Sequence, residues 1–413
     1  MRGLAKIAAA RGCCVTGSDL VIEGHAADNV GGAELVVYTG AVSADNAELV
    51  EARRRGIPCI ERGEYLGKLA AEFDRVIAVA GTHGKTTTAA MIGCIIEDAT
   101  LHFGGRYTTI NGESVGGVRL GGSLFLTEAC EFRRSMLHIK GGLAVITNVD
   151  FDHPDCYADE REYFAAFEEF TRGHRAVITC GDDARLKKIA SDKVVVTFGF
   201  GEGNDYRAVN IGEGGFDVVC GGEWLGRISL KPLGRHNVLN ALCAAAAACE
   251  LGVNWVDIAR RLAAFEGVDR RMQRLGDLDG RRVYLDYAHH PDEIGSALGA
   301  FEGSKIAAVF QPHTYTRLKS LWERFAASLG GAGIERVIVL PVYAAREKPL
   351  AGVGGREFAQ YLSTVRDNVI FAQAFGEARE YLERECGIDE VILLLGAGDV
   401  DGVMEQGEKR TKL

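Results

Sequence analysis

Proline is scarce, with seven in 413 residues, and no apolar run approaches the ~18 residues of a membrane span, so no membrane insertion is expected. Residues 1–10 lack the long apolar core of a secretory signal. Positive charge is the minority: 47 Lys and Arg face 57 Asp and Glu, and the net charge of −10 argues against nucleic acid as a general partner. Eleven cysteines are present, but an odd count without paired spacing is neither a disulfide framework nor a zinc site, and Cys13–Cys14 is not a zinc knuckle. Reduced thiols in a cytoplasmic enzyme are the expectation. Internal repeats and low-complexity tracts are also missing.

What remains is a globular composition, 47% hydrophobic and 25% charged, in a chain too long for one core. The 53 glycines suit many tight strand–helix turns. Short apolar runs alternate with helical patterns, which predicts α/β layers with mostly parallel sheets. Three domains follow. Residues 1–73 hold strands at 13–17, 35–39 and 57–60. Residues 74–267 open on a strand at 76 and continue with strands at 125–127, 143–148, 177–180 and 194–198. Between 206 and 230 the alternation becomes period-two with glycine turns, predicting a small antiparallel sheet, and helices follow at 237–251 and 256–265. Residues 268–413 hold strands at 283–287, 306–310, 337–340 and 391–395.

The most informative stretch is Val76-Ile-Ala-Val-Ala-Gly-Thr-His-Gly-Lys-Thr-Thr-Thr88. It reads as strand, glycine loop, then helix. Backbone N–H groups of such a loop and the positive helix N-terminus suit an anion; Lys85 can reach outer phosphates and the Thr86 hydroxyl can ligate Mg²⁺. Val79 stands where the full Walker pattern has its first glycine, leaving the shorter G-x-x-G-K-T-T. Its placement between strand and helix favours phosphate binding over an ordinary turn.

Other polar clusters also follow predicted strands. Thr127-Glu128-Ala-Cys-Glu131 offers a carboxylate beside the loop, either a metal-bridging acid or a solvated one. Asn148-Val-Asp-Phe-Asp152-His153-Pro154 points at the same cleft, although a histidine is an unusual partner for Mg²⁺ and could simply be held by a neighbouring acid. Asn237 and Asn240 lie three apart on one helix face and could read a base or ribose, while helix capping alone would explain Asn237. Arg270-Arg271 sits at the second domain boundary, where an arginine can swing toward a phosphate; a solvated basic pair is the plainer alternative. Asp286-Tyr-Ala-His-His-Pro291 and Gln311-Pro-His-Thr-Tyr-Thr-Arg317 end two strands, and together make a wall for an acidic substrate.

These motifs in this order resemble the Mur ligase family of peptidoglycan synthesis, over nearly the whole chain from about Gly17 to Val400. The phosphate loop is shared with folylpolyglutamate synthase; the combination of 127–131, 286–291 and 311–317 looks like the alanine-adding branch. The resemblance implies a central P-loop ATP-binding domain with a small antiparallel sheet, flanked by two Rossmann-like domains, the N-terminal one shortened. It further implies that ATP phosphorylates the muramoyl carboxylate of UDP-N-acetylmuramate, after which L-alanine attacks the acyl phosphate. By motif, Gly81, Thr82, His83, Gly84, Lys85, Thr86 and Thr87 would hold the phosphates, with Lys85 on the transferring one. Thr86 and Glu128 would ligate one Mg²⁺ and His153 would help place a second. Asn237 and Asn240 would contact adenine, Arg271 the γ-phosphate and Asp286 the ribose. His313, Tyr315 and Arg317 would orient the muramoyl carboxylate and alanine, with Tyr287 and His289 nearby. The implied catalytic set is Lys85, Glu128, His153 and Arg271, in a monomer or weak homodimer.

The sequence departs from the family pattern in two places. No lysine occurs between Lys140 and Lys187 to be the carbamylated lysine of sister ligases, leaving Glu168 or Glu169 as possible substitutes. The family's opening strand and G-x-G-G-x-G-M turn, expected against the UDP pyrophosphate, are represented only by Met1-Arg-Gly-Leu-Ala, which resembles the end of that turn. A helix expected between Gly17-Ser-Asp-Leu20 and Gly24-His25 is also missing from the sequence. Competing functions are a recycling ligase that adds a tripeptide, disfavoured by the 311–317 stretch, and a nucleotide-dependent switch, which would not need two substrate-like walls. A dinucleotide oxidoreductase lacks support, because the first domain carries no glycine fingerprint.

Overall fold

The computed structural model describes residues 1–19, 24–40, 42–153, 156–189, 193–212, 214–232, 234–331, 333–345 and 347–405. The chain forms two compact units: Met1–Lys231 with Val238–Glu266, and Pro232–Asn237 with Gly267–Leu413. The place where the family's helix is missing, between Leu20 and Gly24, falls on residues 20–23, outside the described residues.

The first unit begins with helix Arg2–Ala10 and a two-stranded parallel sheet, β1 (Val36–Tyr38) and β2 (Cys59–Glu61). The connecting helix Ala47–Arg54 starts where the Asn46 side chain accepts the N–H of Glu48 at 3.0 Å. The strand expected at 13–17 does not form. Val15 is 42% exposed, and no strand pairs with this segment among the described residues, so its N–H and C=O groups have no ladder to join.

The rest of this unit is built on a sheet of ten described strands in the order β12-β11-β10-β9-β8-β7-β3-β6-β4-β5. Its parallel centre comprises β3 (Arg75–Ala80), β6 (Leu124–Glu128), β7 (Leu143–Ile146), β8 (Ala176–Cys180) and β9 (Val194–Gly199). Residues 76–80 are buried throughout, because helices cover both faces of such a sheet and alternation disappears. Helix Arg235–Glu250 shows why its sequence is alanine-rich: residues Ala244 to Ala248 are fully buried, and short side chains let backbones approach closely. On one edge β4 (Thr100–Thr108) and β5 (Ser114–Arg119) make a hairpin not expected from the sequence, with Gly112 in the left-handed region at its turn. On the other edge the antiparallel strands β10 (Tyr206–Gly212), β11 (Gly215–Cys220) and β12 (Glu223–Ser229) hang from β9 through a parallel register of Tyr206 with Phe198.

The second unit has a six-stranded sheet, among the described residues, ordered β13-β14-β18-β15-β16-β17. Its strands are β13 (Gln273–Leu278), β14 (Arg281–Asp286), β15 (Lys305–Phe310), β16 (Ile334–Val339), β17 (Val369–Phe371) and β18 (Glu390–Leu395). All pairings are parallel except β13 with β14. Strand β18 shows the period of two: Leu393 and Leu395 pack with Phe310, Phe325 and Phe358 on one face, Ile392 and Leu394 with Leu285, Ile338 and Leu382 on the other.

A carboxylate at the start of β18 is buried against an arginine of β16. Glu390 receives both a 2.9 Å and a 2.8 Å hydrogen bond from the Arg336 guanidinium, and its side chain is only 4% exposed. The Arg336→Met variant strands that carboxylate, so a loss of about 3–5 kcal/mol is expected in urea unfolding of the full chain. A loss within 0.5 kcal/mol of zero would contradict this role.

Candidate active site

The phosphate loop leaves β3 at Ala80 and enters helix Lys85–Ile95 at Gly84, which has φ of 81°. Glycine is required at both bends: a Cβ on Gly81 (φ 138°) would strike the Thr147 hydroxyl, and one on Gly84 would strike the Asn240 amide. The loop is tied to the segment following β7. Thr82 Oγ1 donates to the Asp150 carbonyl at 2.7 Å, lies 2.9 Å from the Tyr163 hydroxyl and accepts the Asp150 N–H at 2.9 Å. Asn148 accepts the His83 N–H at 2.8 Å and donates to its carbonyl at 3.0 Å. No side chain caps the helix that follows, so its first N–H groups and positive dipole end are presented to an anion. Thr86 is half-buried and Thr87 buried in the first turn.

Lys85 folds back over this loop. Its ammonium donates to the carbonyls of Gly81 and Thr82, the latter at 2.9 Å, and lies 3.0 Å from the carboxylate of Glu131. His153 Nε2 stands 3.5 Å from the same carboxylate and 3.7 Å from Asp152. Burial disfavours the charged form of all three, yet mutual attraction outweighs it: Lys85 and His153 are raised and Glu131 is lowered from their usual ranges. The surrounding backbone is strained, with Arg133, Arg134 and His153 at φ of 50°, 56° and 56°. The Glu131 carbonyl, which accepts from Tyr157 at 2.5 Å and from the Arg134 N–H at 2.8 Å, helps hold that path.

The expected acid and the observed one therefore differ. Glu128 ends β6 and accepts the Gly104 N–H at 3.1 Å, while Glu131, to which the sequence reading assigned no role, shares the pocket with Lys85 and His153. Linear spacing does not reveal this, since both acids follow the same strand and only the folded path after β6 separates their surroundings. Glu169 is exposed and pairs with Arg134 at 3.7 Å, so it supplies no acid to this pocket. Glu168 is half-buried on the same helix. Asn240 is buried against the loop and accepts from Thr88 Oγ1 at 3.3 Å; Asn237, also buried, sits one turn earlier on its helix.

In the second unit, the residues following β14 and β15 converge. The rings of Tyr287 and His289 are 5.3 Å apart, those of His289 and His313 5.6 Å, and His313 stacks on Tyr343 at 5.7 Å. Arg317 reaches His313 Nδ1 at 3.4 Å, and Arg271 lies 5.1 Å over the Tyr287 ring and 3.8 Å from Glu293. Burial, helped by Arg317 and opposed by Glu293, pushes His289 down to about 4; burial and Arg317 also lower His313. Two neutral imidazoles thus stand among arginines. Tyr315 opens helix Tyr315–Ser320, and no side-chain contact among the described residues ties it to this cluster; Tyr343, from the loop after β16, takes the place beside His313.

Asp286 is placed otherwise than the resemblance implied. It is 7% exposed, and its two oxygens accept the N–H groups of Met272 and Ala288, both at 2.8 Å, so it braces the chain across β14 instead of facing a ribose. Burial raises its carboxyl to about 6, against the opposing pull of Arg271. The folded state then holds a proton that the unfolded chain releases, and this residue's contribution to stability falls as pH rises from about 4 to about 6. His289 contributes with the opposite sign, since stability is lost as pH drops through the same window and the unfolded imidazole takes up a proton. Relative to the parent, Asp286→Asn should gain stability with rising pH by up to roughly 3 kcal/mol, and His289→Gln should lose it. Urea midpoints at pH 4.5 and 6.5 check both signs; parallel shifts in the two variants would refute the assignment.

Comparison with known proteins agrees with this architecture. The Mur ligase family catalytic domain matches residues 1–74, the Mur ligase middle domain residues 79–248, and the Mur ligase glutamate ligase domain residues 270–398. A UDP-N-acetylmuramate–L-alanine ligase of Rubrobacter xylanophilus is 39% identical, covering 98% of this chain and 96% of that relative. Its counterpart in Caldanaerobacter subterraneus subsp. tengcongensis is 36% identical, covering 99% and 94%. The crystal structure of UDP-N-acetylmuramate-alanine ligase MurC from Thermotoga maritima matches with a TM-score of 0.74 at 29% identity, over 92% of this chain and 86% of that one. A murein peptide ligase from Psychrobacter arcticus shares the fold, with a TM-score of 0.69 at 22% identity over 98% and 94% of the two chains. The chain belongs to the Mur ligase family.

Proposed function

We propose that this chain joins L-alanine to the carboxylate of UDP-N-acetylmuramate at the expense of ATP, in the cytoplasmic synthesis of peptidoglycan precursors. The observation that carries the reading is 36–39% identity over nearly the full length to ligases of that name, combined with a phosphate loop holding a half-buried, paired Lys85. The division of labour follows residues 1–73 for the UDP-sugar, 74–267 for ATP and 268–413 for the carboxylate and amine. No helix among the described residues is long and apolar enough to cross a membrane.

The chemistry has two steps. A carboxylate oxygen attacks the γ-phosphorus and ADP departs; the alanine nitrogen then attacks the acyl carbon, inorganic phosphate leaves and the amine gives up a proton. Both reactants of the first step are anionic, so catalysis is chiefly electrostatic. Lys85 and the uncapped helix N-terminus neutralise the phosphates, and Arg271 serves the γ-phosphate. Thr86, in the helix after β3, and Glu128, the last residue of the paired strand β6, are half-buried oxygen donors that suit Mg²⁺. Such an ion is commonly held by one or two protein ligands with phosphate oxygens completing its shell. When bound, Mg²⁺ offsets charge on the bridging phosphates. His153 is committed to Glu131 and so acts in this reading through Lys85 and its partner acid. His313 and Arg317 orient the carboxylate, and the neutral imidazole of His289 can accept the amine proton.

The test is phosphate release from ATP, Mg²⁺ and UDP-N-acetylmuramate with each amino acid in turn, and with L-Ala-containing tripeptide. Release that requires both the UDP-sugar and L-alanine is expected; preference for the tripeptide, or indifference to the amino acid, refutes the assignment. Lys85→Ala should lower turnover by at least 10²–10³-fold, typical of removing one preorganised charge from a transition state, while the far-ultraviolet circular dichroism is kept.

A further inference from the structure

We propose that the first unit carries a second small-molecule site, for an amphipathic organic anion, at the N-terminal edge of its parallel strands. A cavity of about 370 Å³ opens where β3, β6, β7, β8 and β9 begin. That volume lies within the range of small-molecule sites, ~300–1,000 Å³. Its walls are apolar, formed by Val76, Leu124, Leu143, Val177, Ile178 and Val196. Space is left because one corner is backbone alone: Gly142, at φ of 68°, has no room for a Cβ against the Val76 carbonyl, and a Cβ on Gly141 would meet nothing within 4 Å.

The rim gives the ligand its sign. Arg75, Lys140 and Arg175 are exposed there, and among the described residues none of the three side chains makes an ion pair or hydrogen bond. Two acids share the lining, Asp74 and Glu250, and Glu250 is occupied by the Tyr206 hydroxyl at 3.1 Å. Three cations without an ion pair, against two acids, leave the lining net positive in a chain of net charge −10 and suit a carboxylate or sulfonate head on a hydrocarbon or aromatic body. The apolar body gains from leaving water and the head keeps partial hydration at the rim.

This site is separate from the phosphate loop. Strand β3 runs from Arg75 at the rim to Ala80 at the loop, five steps of ~3.3 Å or roughly 17 Å, beyond the span of one small ligand. The inference therefore stands apart from the ligase reading and can fail without it.

The experiment uses the full chain and 8-anilinonaphthalene-1-sulfonate, followed by fluorescence titration and then displacement by decanoate. One saturable equivalent, displaced by decanoate, is expected. The double variant Lys140→Glu, Arg175→Glu should weaken it at least ten-fold with phosphate release and melting temperature preserved. Val196→Trp, which fills the cavity and leaves the rim charges in place, should weaken it similarly. Saturating ATP should change the Kd by less than two-fold. Non-saturable binding, displacement by ATP, or a charge-reversed variant within two-fold of the parent would each overturn the proposal.

Discussion

The contact between Lys85 and Glu131 is the interaction on which the nucleotide half of this protein depends. The Lys85 ammonium is 16% exposed and Glu131 3% exposed, so burial disfavours both charges, and their mutual attraction is a main term that offsets it, with His153 adding to the hold on Glu131. Such a pair is a poor way to gain stability, since desolvation offsets most of the attraction. Its presence beneath an uncapped helix terminus is better explained by what happens when phosphates arrive. In the proposed reaction, phosphate oxygens would compete with Glu131 for the same ammonium, and Lys85 would exchange one anionic partner for another without being uncovered.

That exchange explains the strain around Glu131. Two successive residues in the left-handed region, Arg133 and Arg134, turn the chain sharply just after Glu131. Non-glycine residues adopt this conformation at a cost, of order 1–3 kcal/mol each in the least favourable cases. Tyr157 and the Arg134 N–H, both donating to the Glu131 carbonyl, hold the turn in place. His153, itself at positive φ, closes the other side. The acid is thus positioned by backbone geometry that residue types alone do not announce.

Much of the site was nonetheless legible. Residues 76–88 could be read as strand, loop and helix from β-branched residues, then glycines where a Cβ would collide, then Lys85 and threonines at a helix start, although threonine itself is a weak helix former. The clustering of Tyr287, His289 and His313 followed from parallel strands, whose C-terminal ends gather at one edge. Asp286 defeated the same logic, because a strand-end carboxylate looks alike whether it faces a ligand or braces two N–H groups. Tyr343 was invisible for another reason: its stacking on His313 depends on β16 lying next to β15, which is a fact of strand order. The hairpin of β4 and β5 was hidden by its own glycines, although Asn111-Gly112 is the dipeptide such turns favour. Residues 13–17 erred the other way, since an apolar run makes a strand only where a neighbour can complete its hydrogen bonds.

A parallel sheet is polar in a functional sense, and this chain uses that polarity twice. Every strand of that sheet's parallel centre delivers its following loop to the same edge, so the glycine loop and the acidic residues collect there without long connections. The opposite edge receives the ends of preceding helices and the short turns before each strand. Those turns are set by packing: Gly142 must be glycine because the Val76 carbonyl occupies the place of its Cβ. An opening between such turns is walled by the first apolar residues of each strand and rimmed by whatever polar residues precede them. Here those are Arg75 before Val76, Lys140 before the glycine pair and Arg175 before Ala176. A rim rich in cations therefore follows from three positions that sheet geometry leaves unconstrained, and it is the freedom at those positions that makes their shared sign informative.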